Sequence, residues 1–265
     1  MPEAPEVRVM VEKVLRPFRH SSLIDLQIVS GRYQKHGKPD HWSTFIKQLP
    51  LSIETFHRRG KSVWITFENS TWSIYLTLGM TGHYVLEPSK HTHLHFITNR
   101  GTFYIDDVRN FGTLTIYPTK EALDEKIATL GMDFFDPHLT PTVFYQLWTN
   151  EISPQKYVVD ALLEQYPFAG IGNYVRAEAL YLAKIHPFET CGSLSKKQIL
   201  TLYRAIRRIM EEYYEEQRKN GLLYAGFYVY QQKETKKGEK VERKEWKGRS
   251  LWWVPSVQKK MIKKI

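Results

Sequence analysis

Apolar residues recur at Val7, Met10, Val11, Val14, Leu15 and Phe18, a helical spacing that predicts an amphipathic opening helix docked on a core. Its entry, Met1-Pro2-Glu3-Ala4-Pro5-Glu6, sets proline in the first turn and carboxylates at the positive end of the helix dipole. Short β-rich runs broken by turn residues follow, over residues 23–33, 51–56, 62–67, 72–78, 83–86, 93–97, 102–105 and 113–117. Several alternate apolar with polar, and their close spacing predicts an antiparallel sandwich. Between Leu130 and Pro141 polarity and proline density rise and the β pattern stops. The expected organisation is a β-sandwich domain over residues 1–130, a hinge over 131–142 and a helical domain over 143–265. Helical patterning covers 142–148 and 155–165, resumes after Gly170-Ile171-Gly172-Asn173, and runs again over 195–217 with Ile199, Leu202, Ile206, Ile209 and Met210 as its apolar positions. Residues 227–231 and 251–254 return to β patterning around a charged stretch, which predicts a two-stranded finger over about 227–258 with a basic loop. The fold class is α+β in two domains.

Composition narrows the partners. A hydrophobic content of 42% supports a packed core, and a formal charge of +10 suits a polyanion. Charge alone fits a membrane surface or a ribosomal protein almost as well. A single cysteine, Cys191, excludes an internal disulfide and a multi-cysteine zinc site. No run reaches the length of a membrane span and the start has no apolar signal core, so a soluble protein of a reducing compartment is expected.

Several stretches carry candidate chemistry beside a plainer role. Pro2, once Met1 is removed, presents a secondary amine that can attack an electrophilic sugar carbon and form an iminium, with Glu3 beside it to handle protons. The plainer role is a helix entry. Arg58-Arg59-Gly60-Lys61 reads as a solvated turn or a phosphate clamp, and Leu78-Gly79-Met80-Thr81-Gly82 as a tight turn that exposes Met80 or buries it. His91 and His93 suit polar strand positions first and phosphate contact second, and without further ligands they make a weak metal site. In Asp107-Val108-Arg109-Asn110-Phe111-Gly112, Phe111 is either packed inside or a wedge that enters a base stack. Helix, Gly170-Ile171-Gly172 turn, helix is a phosphate holder and not a dinucleotide fingerprint, because no strand precedes it. Asn173 there either caps the helix or donates to a phosphate.

These segments together resemble the formamidopyrimidine-DNA glycosylase and endonuclease VIII (Fpg/Nei) family. The matching stretches are MPEAPEV, RRGKSVWITF, LGMTG, SKHTH, DDVRNFG, LGMDFF, GIGNYVRAEALYLAKIHP, and FYVYQQK followed by GRSLWWVPSVQ, in the family's order over nearly the whole chain. The resemblance implies a β-sandwich flanked by helices, a helix-two-turn-helix domain with an antiparallel finger, and damaged DNA held between them. It implies excision of a damaged base followed by strand cleavage through β,δ-elimination, with Pro2 as nucleophile, Glu3 as proton donor and Glu6 supporting that helix. By the same resemblance Lys61 contacts phosphate and assists elimination, and Arg249 at the finger tip serves the final elimination. Met80, Arg109 and Phe111 fill the gap left by the everted nucleotide, and His91 and Asn173 contact phosphate.

Two departures bear on subtype. The family's usual finger holds zinc with four cysteines and this one has none, which matches the zincless Nei-like subgroup. The segment 221–226 is short where Fpg enzymes carry a longer loop over oxidised guanine. Both favour oxidised pyrimidines and ring-opened purines as substrates, with an Fpg-type enzyme directed at oxidised guanine as the competitor and a non-catalytic nucleic-acid-binding protein as the rival class. No cofactor or metal is expected, the expected partner is damaged double-stranded DNA with single strands left open, and the expected state is a monomer. Lysines over 259–264 read as a nuclear signal or a basic tail.

Overall fold

The computed structural model describes residues 2–221 and 226–260. Met1, most of the short 221–226 segment and the end of the lysine-rich tail therefore lie outside the described residues. The chain divides into two compact units, Met1–Thr129 and Leu130–Ile265.

The first unit opens with α1 (Ala4–Met10), prolonged by a π-helical turn over Val11–Leu15 and a 3-10 turn over Arg16–Phe18. Strands β1 (Ser22–Ile28), β2 (Leu51–Arg59), β3 (Ser62–Phe67), β4 (Ser73–Thr77), β5 (Gly82–Val85), β6 (Thr92–Thr98), β7 (Gly101–Asp107) and β8 (Thr113–Tyr117) follow. Short helices α2 (Arg32–Lys35) and α3 (Trp42–Ile46) interrupt them, and α4 (Lys120–Ala128) ends the unit. All strand pairs are antiparallel, in the order β5-β7-β6-β1-β2-β3-β4-β8. Only Ser22↔Ser52 and Leu23↔Leu51 join the two four-stranded halves, so the sheet folds there and both halves feed one core. Val7, Met10, Val11, Leu15 and Phe18, the apolar face read from the sequence, are buried in that core with Ile65, Leu76, Phe96 and Phe103. β3 is buried on both faces: Val63, Ile65 and Phe67 point into the core, while Trp64 pairs with Tyr75 on the other side, where Lys126 of α4 lies 5.5 Å from the Tyr75 ring. The expected strand over 23–33 ends at Ile28, because Gly31, at φ 84°, turns the chain into α2.

The second unit begins with β9 (Met132–Asp133), paired in parallel with β10 (Phe168–Ala169). Helices α5 (Pro141–Glu151), α6 (Val158–Ala161), α7 (Asn173–Ala183) and α8 (Lys196–Asn220) build it, and α7 packs on α8. An aromatic core sits beneath them: Phe144 stacks on Phe168 at 4.4 Å, with Phe134 and Tyr203 against the pair. Ser195 and Gln198 form the capping box that starts α8.

The finger corrects one expectation. Its strands are β11 (Glu242–Trp246) and β12 (Arg249–Trp253), joined by Lys247 and Gly248, both at positive φ, as a two-residue hairpin turn needs. Residues 227–231 form no strand. Their alternation serves aromatic packing instead, with Phe227 5.4 Å from Tyr174 and 5.5 Å from Tyr213. β11 comes from the charged stretch because it is exposed along nearly its whole length and needs no apolar face.

Candidate active site and nucleic-acid interface

Glu3 is the N-cap of α1, and its carboxylate accepts from the Glu6 backbone N–H. The Glu6 carboxylate in turn accepts the Glu3 backbone N–H at 2.8 Å. This reciprocal box fixes the turn that follows Pro2 and gives Glu6 a defined task, holding the Glu3 backbone. Pro2 and Glu3 are both buried. α1 packs against β2 and β5. β2 leads into Gly60, at φ 58°, and the half-buried Lys61, while β5 is entered through the turn that carries Met80. The helix that presents Pro2 and Glu3 therefore rests on two strands whose ends adjoin two further candidates, Lys61 and Met80.

Met80 is 39% exposed and Phe111 50%, so neither belongs to the core. They stand together through Arg109, whose guanidinium donates to Met80 Sδ at 3.2 Å and lies 4.8 Å from the centre of the Phe111 ring. Two loops are needed to build that cluster, and one residue ties them. Asp107, 1% exposed, accepts from Thr81 Oγ1 and, on its other oxygen, from the Gly112 N–H at 2.7 Å. The Arg109 N–H donates to Thr81 Oγ1 at 2.9 Å. Gly79 adopts φ 58°, and a Cβ there would stand 2.7 Å from the Phe111 carbonyl carbon, so the loops meet backbone to backbone. The Asp107 N–H donates to the His91 carbonyl at 3.0 Å, which brings His91 to the same place. His93 is spent on structure: Nδ1 meets Ser30 Oγ at 2.6 Å and Nε2 the Asp107 carbonyl at 2.8 Å. The sequence marked Met80, His91, Arg109 and Phe111 but missed Asp107, whose partners lie 26 residues away as well as in its own loop.

In the second unit Gly172 is the N-cap of α7 and Asn173 its first residue. The Asn173 side chain does not cap the helix. It donates to the Ser250 carbonyl of β12 at 2.9 Å and accepts from Arg176, a guanidinium 1% exposed that also donates to the Val159 carbonyl at 3.1 Å. Asn173 is thus bonded to the residue next to Arg249, which is exposed at the start of β12. The phosphate-holder candidate and the finger-tip arginine are brought together.

Three polar groups, none singled out in the sequence and two of them fully buried, hold the finger. Glu178, fully buried on α7, accepts from the Tyr228 N–H at 2.7 Å, the Val229 N–H at 2.9 Å, the Tyr230 N–H at 2.7 Å and the Tyr213 hydroxyl at 2.7 Å. Burial pushes its carboxyl above the usual range, and these donors pull it back. Gln258, also fully buried, accepts from the Val254 N–H and donates to the Ile185 carbonyl. Asp160 of α6 takes the Trp246 indole N–H at 2.9 Å and the Lys247 ammonium at 2.8 Å, which ties the hairpin turn to the helices. Ala177, Val229, Val241 and Val254 make a small apolar core among them. A zinc ion does not fit here: residues 226–260 contain neither cysteine nor histidine, and among the described residues no group of three or more His, Cys, Asp or Glu could hold a metal. Among the described residues no helix is long and apolar enough to cross a membrane.

Residues 1–114 match the formamidopyrimidine-DNA glycosylase N-terminal domain, and residues 130–221 match the formamidopyrimidine-DNA glycosylase H2TH domain. A formamidopyrimidine-DNA glycosylase of Shouchella clausii is 31% identical over 220 residues, which span 80% of this chain and 77% of that protein. The crystal structure of the MutM (Fpg) protein from Thermus thermophilus superposes with a TM-score of 0.81 at 26% identity, covering 97% of this chain and 98% of that one. A complex of the Lactococcus lactis Fpg with DNA containing an abasic site shares the fold, with a TM-score of 0.81 at 24% identity over 97% of this chain and all of the other. On the two domain matches and the shared identity, the chain belongs to the Fpg/Nei family of DNA glycosylases, base-excision repair enzymes that also have AP lyase activity.

Proposed function

We propose that the chain removes oxidised pyrimidines and ring-opened purines from DNA through a covalent intermediate on Pro2, and then cuts the strand by β,δ-elimination. The observation that carries this reading is the reciprocal Glu3–Glu6 box, which sets Pro2 at the start of α1 with a carboxyl group beside it. With Met1 removed, the neutral Pro2 amine attacks C1′ of the damaged nucleotide. The glycosidic bond breaks, the base leaves with its electron pair and a proton, and Glu3 protonates the sugar oxygen as the ring opens to the iminium. Loss of a C2′ proton then expels the 3′ phosphate. A second elimination expels the 5′ phosphate, and water frees the amine. Unperturbed α-amino groups titrate at about 7.7–8.0, so a neutral amine is accessible near neutral pH without a metal. Lys61 and Arg249 serve phosphate contact and elimination. His91 and Asn173 serve strand binding, Asn173 by holding the finger strand as well as through phosphate. Met80, Arg109 and Phe111 occupy the space of the everted nucleotide, which offsets part of the few kcal/mol that eversion costs.

Borohydride should trap a covalent complex between the protein and DNA carrying an oxidised pyrimidine, and intact-mass measurement should show that Met1 is gone. No trapped complex with any oxidised base or abasic site would remove the covalent reading. Arg249→Ala should shift the cut ends from δ- to β-elimination products, and an unchanged pattern would remove that role. A solved complex of MutM with DNA containing carbocyclic 8-oxo-G, which shares the fold, favours a second reading, a preference for oxidised guanine. The formamidopyrimidines in the relatives' names are ring-opened purines and fit either reading. A panel of oligonucleotides bearing each lesion, in duplex and single-stranded form, decides between the two.

A further inference from the structure

We propose that Asp107, acting through Thr81, is the positioning residue that assembles the Met80–Arg109–Phe111 wedge from two separate loops. The proposal rests on the reading of those three side chains as the filler of the everted nucleotide's place.

The geometry favours a device over ordinary loop packing for three reasons. First, the wedge residues are exposed and gain little from the core, so burial does not set their positions: Met80 is 39% exposed, Phe111 50% and the neighbouring Val108 63%. Second, the group that fixes them is a buried carboxylate with a bond in every direction that matters. Oδ1 takes the Thr81 hydroxyl, the residue after Met80, and also the Arg109 N–H at 3.3 Å. Oδ2 takes the Gly112 N–H at 2.7 Å, the residue after Phe111. Its backbone N–H and carbonyl reach His91 and the His93 ring. Third, Thr81 is itself a relay, because its oxygen gives one proton to Asp107 and receives the Arg109 N–H at 2.9 Å. Asp107 and Thr81 touch the loops that face DNA in the proposed function and have no chemistry of their own. They set the spacing of Met80, Arg109 and Phe111, and the wedge enters the duplex as one preformed body.

A wedge matters where a base must leave a stack and an opposite strand must be kept apart. It matters little where the lesion is an abasic site in a single strand. The test compares Thr81→Val, which keeps the shape of the side chain and loses the hydroxyl, with Thr81→Ser, which restores it. Asp107→Asn is the second perturbation, since its amide places N–H against the Gly112 N–H or the Arg109 N–H. Single-turnover excision of an oxidised pyrimidine from duplex DNA should fall about tenfold or more in Thr81→Val and Asp107→Asn. Cleavage of a single strand at an abasic site should stay within about twofold of wild type, and Thr81→Ser should match wild type on both substrates. A 2-aminopurine opposite the lesion should lose its wedge-induced fluorescence change in Thr81→Val. Wild-type duplex rates in Thr81→Val overturn the proposal, as does an equal loss on both substrates. If Asp107→Asn does not fold, Thr81→Val against Thr81→Ser decides alone. A wild-type protein inactive on both substrates overturns instead the enzymatic reading beneath it.

Discussion

Removing the Glu178 carboxylate should loosen the finger more than any other single truncation in the second unit. Glu178→Ala strips the acceptors from three backbone N–H groups, at Tyr228, Val229 and Tyr230, and from the Tyr213 hydroxyl. An orphaned buried donor costs about 1–3 kcal/mol, and with the Val229 N–H and Tyr213 hydroxyl buried and the Tyr228 and Tyr230 N–H groups half-buried the loss amounts to about 4 kcal/mol. That is a large share of the roughly 5–15 kcal/mol that holds a domain folded. Glu178→Gln should cost much less, about 1–3 kcal/mol. It mimics the neutral acid towards which burial pushes this group. With its amide nitrogen in the place of Oε2, the Tyr213 hydroxyl can turn and accept, and only the Tyr228 N–H faces a donor. Hydrogen exchange at the amides of residues 228–230 reads the effect locally, and urea unfolding reads it globally. Protection at the three amides should collapse in Glu178→Ala and survive at Val229 and Tyr230 in Glu178→Gln, because both of those bond Oε1. Unchanged protection in the alanine variant, or equal loss in both variants, would refute the hub.

Three further outcomes follow from the same geometry. Burial raises the Cys191 thiol to about 12 and leaves the residue 3% exposed, so Ellman's reagent at pH 8 should label the native protein at least about 100-fold more slowly than the unfolded one, and prompt labelling would contradict the burial. Asp160→Ala should cost about 1 kcal/mol, mostly through the lost indole bond since the Lys247 side chain is 67% exposed. It should also let β-elimination ends accumulate, because Trp246 pairs with Arg249, and an unchanged product pattern would separate the tip from Asp160. Gly79→Ala puts a Cβ 2.7 Å from the Phe111 carbonyl carbon at φ 58°, so it should lower the thermal midpoint by the equivalent of about 1–3 kcal/mol and slow excision from duplex DNA; wild-type values for both would show that the loops can part freely.

Periodicity located what burial patterns: the α1 stripe from Val7 to Phe18, the short strands of the first unit, and the long α8. It failed where burial and alternation part company. Residues 227–231 alternate because Phe227, Val229 and their neighbours pack against α7 and α8, while their N–H groups bond a carboxylate rather than a neighbouring strand. β11 carries Glu242, Arg243, Lys244 and Glu245 in succession, a pattern no apolar count reads as a strand, and its partner β12 supplies the inward Leu251. The candidate site was legible where chemistry-bearing residue types cluster in short motifs, as at Pro2 and Glu3 or Arg109 and Phe111. Asp107, Asp160, Glu178 and Gln258 were not, because an acidic or amide side chain in a motif does not disclose partners 26, 86, 50 or 73 residues away.

The finger's fastening has a consequence for the conditions under which such a protein works. Oxidants that damage bases also oxidise cysteine thiolates, and a finger closed by zinc-bound thiolates loses its metal by that route. Here the hairpin is closed by carboxylates, an amide, an indole N–H and small apolar side chains packed with aromatic rings, and none of these is a thiolate. The single cysteine of the chain sits inside with its thiol held protonated. A burst of peroxide that creates lesions therefore finds no exposed thiolate through which to dismantle the finger.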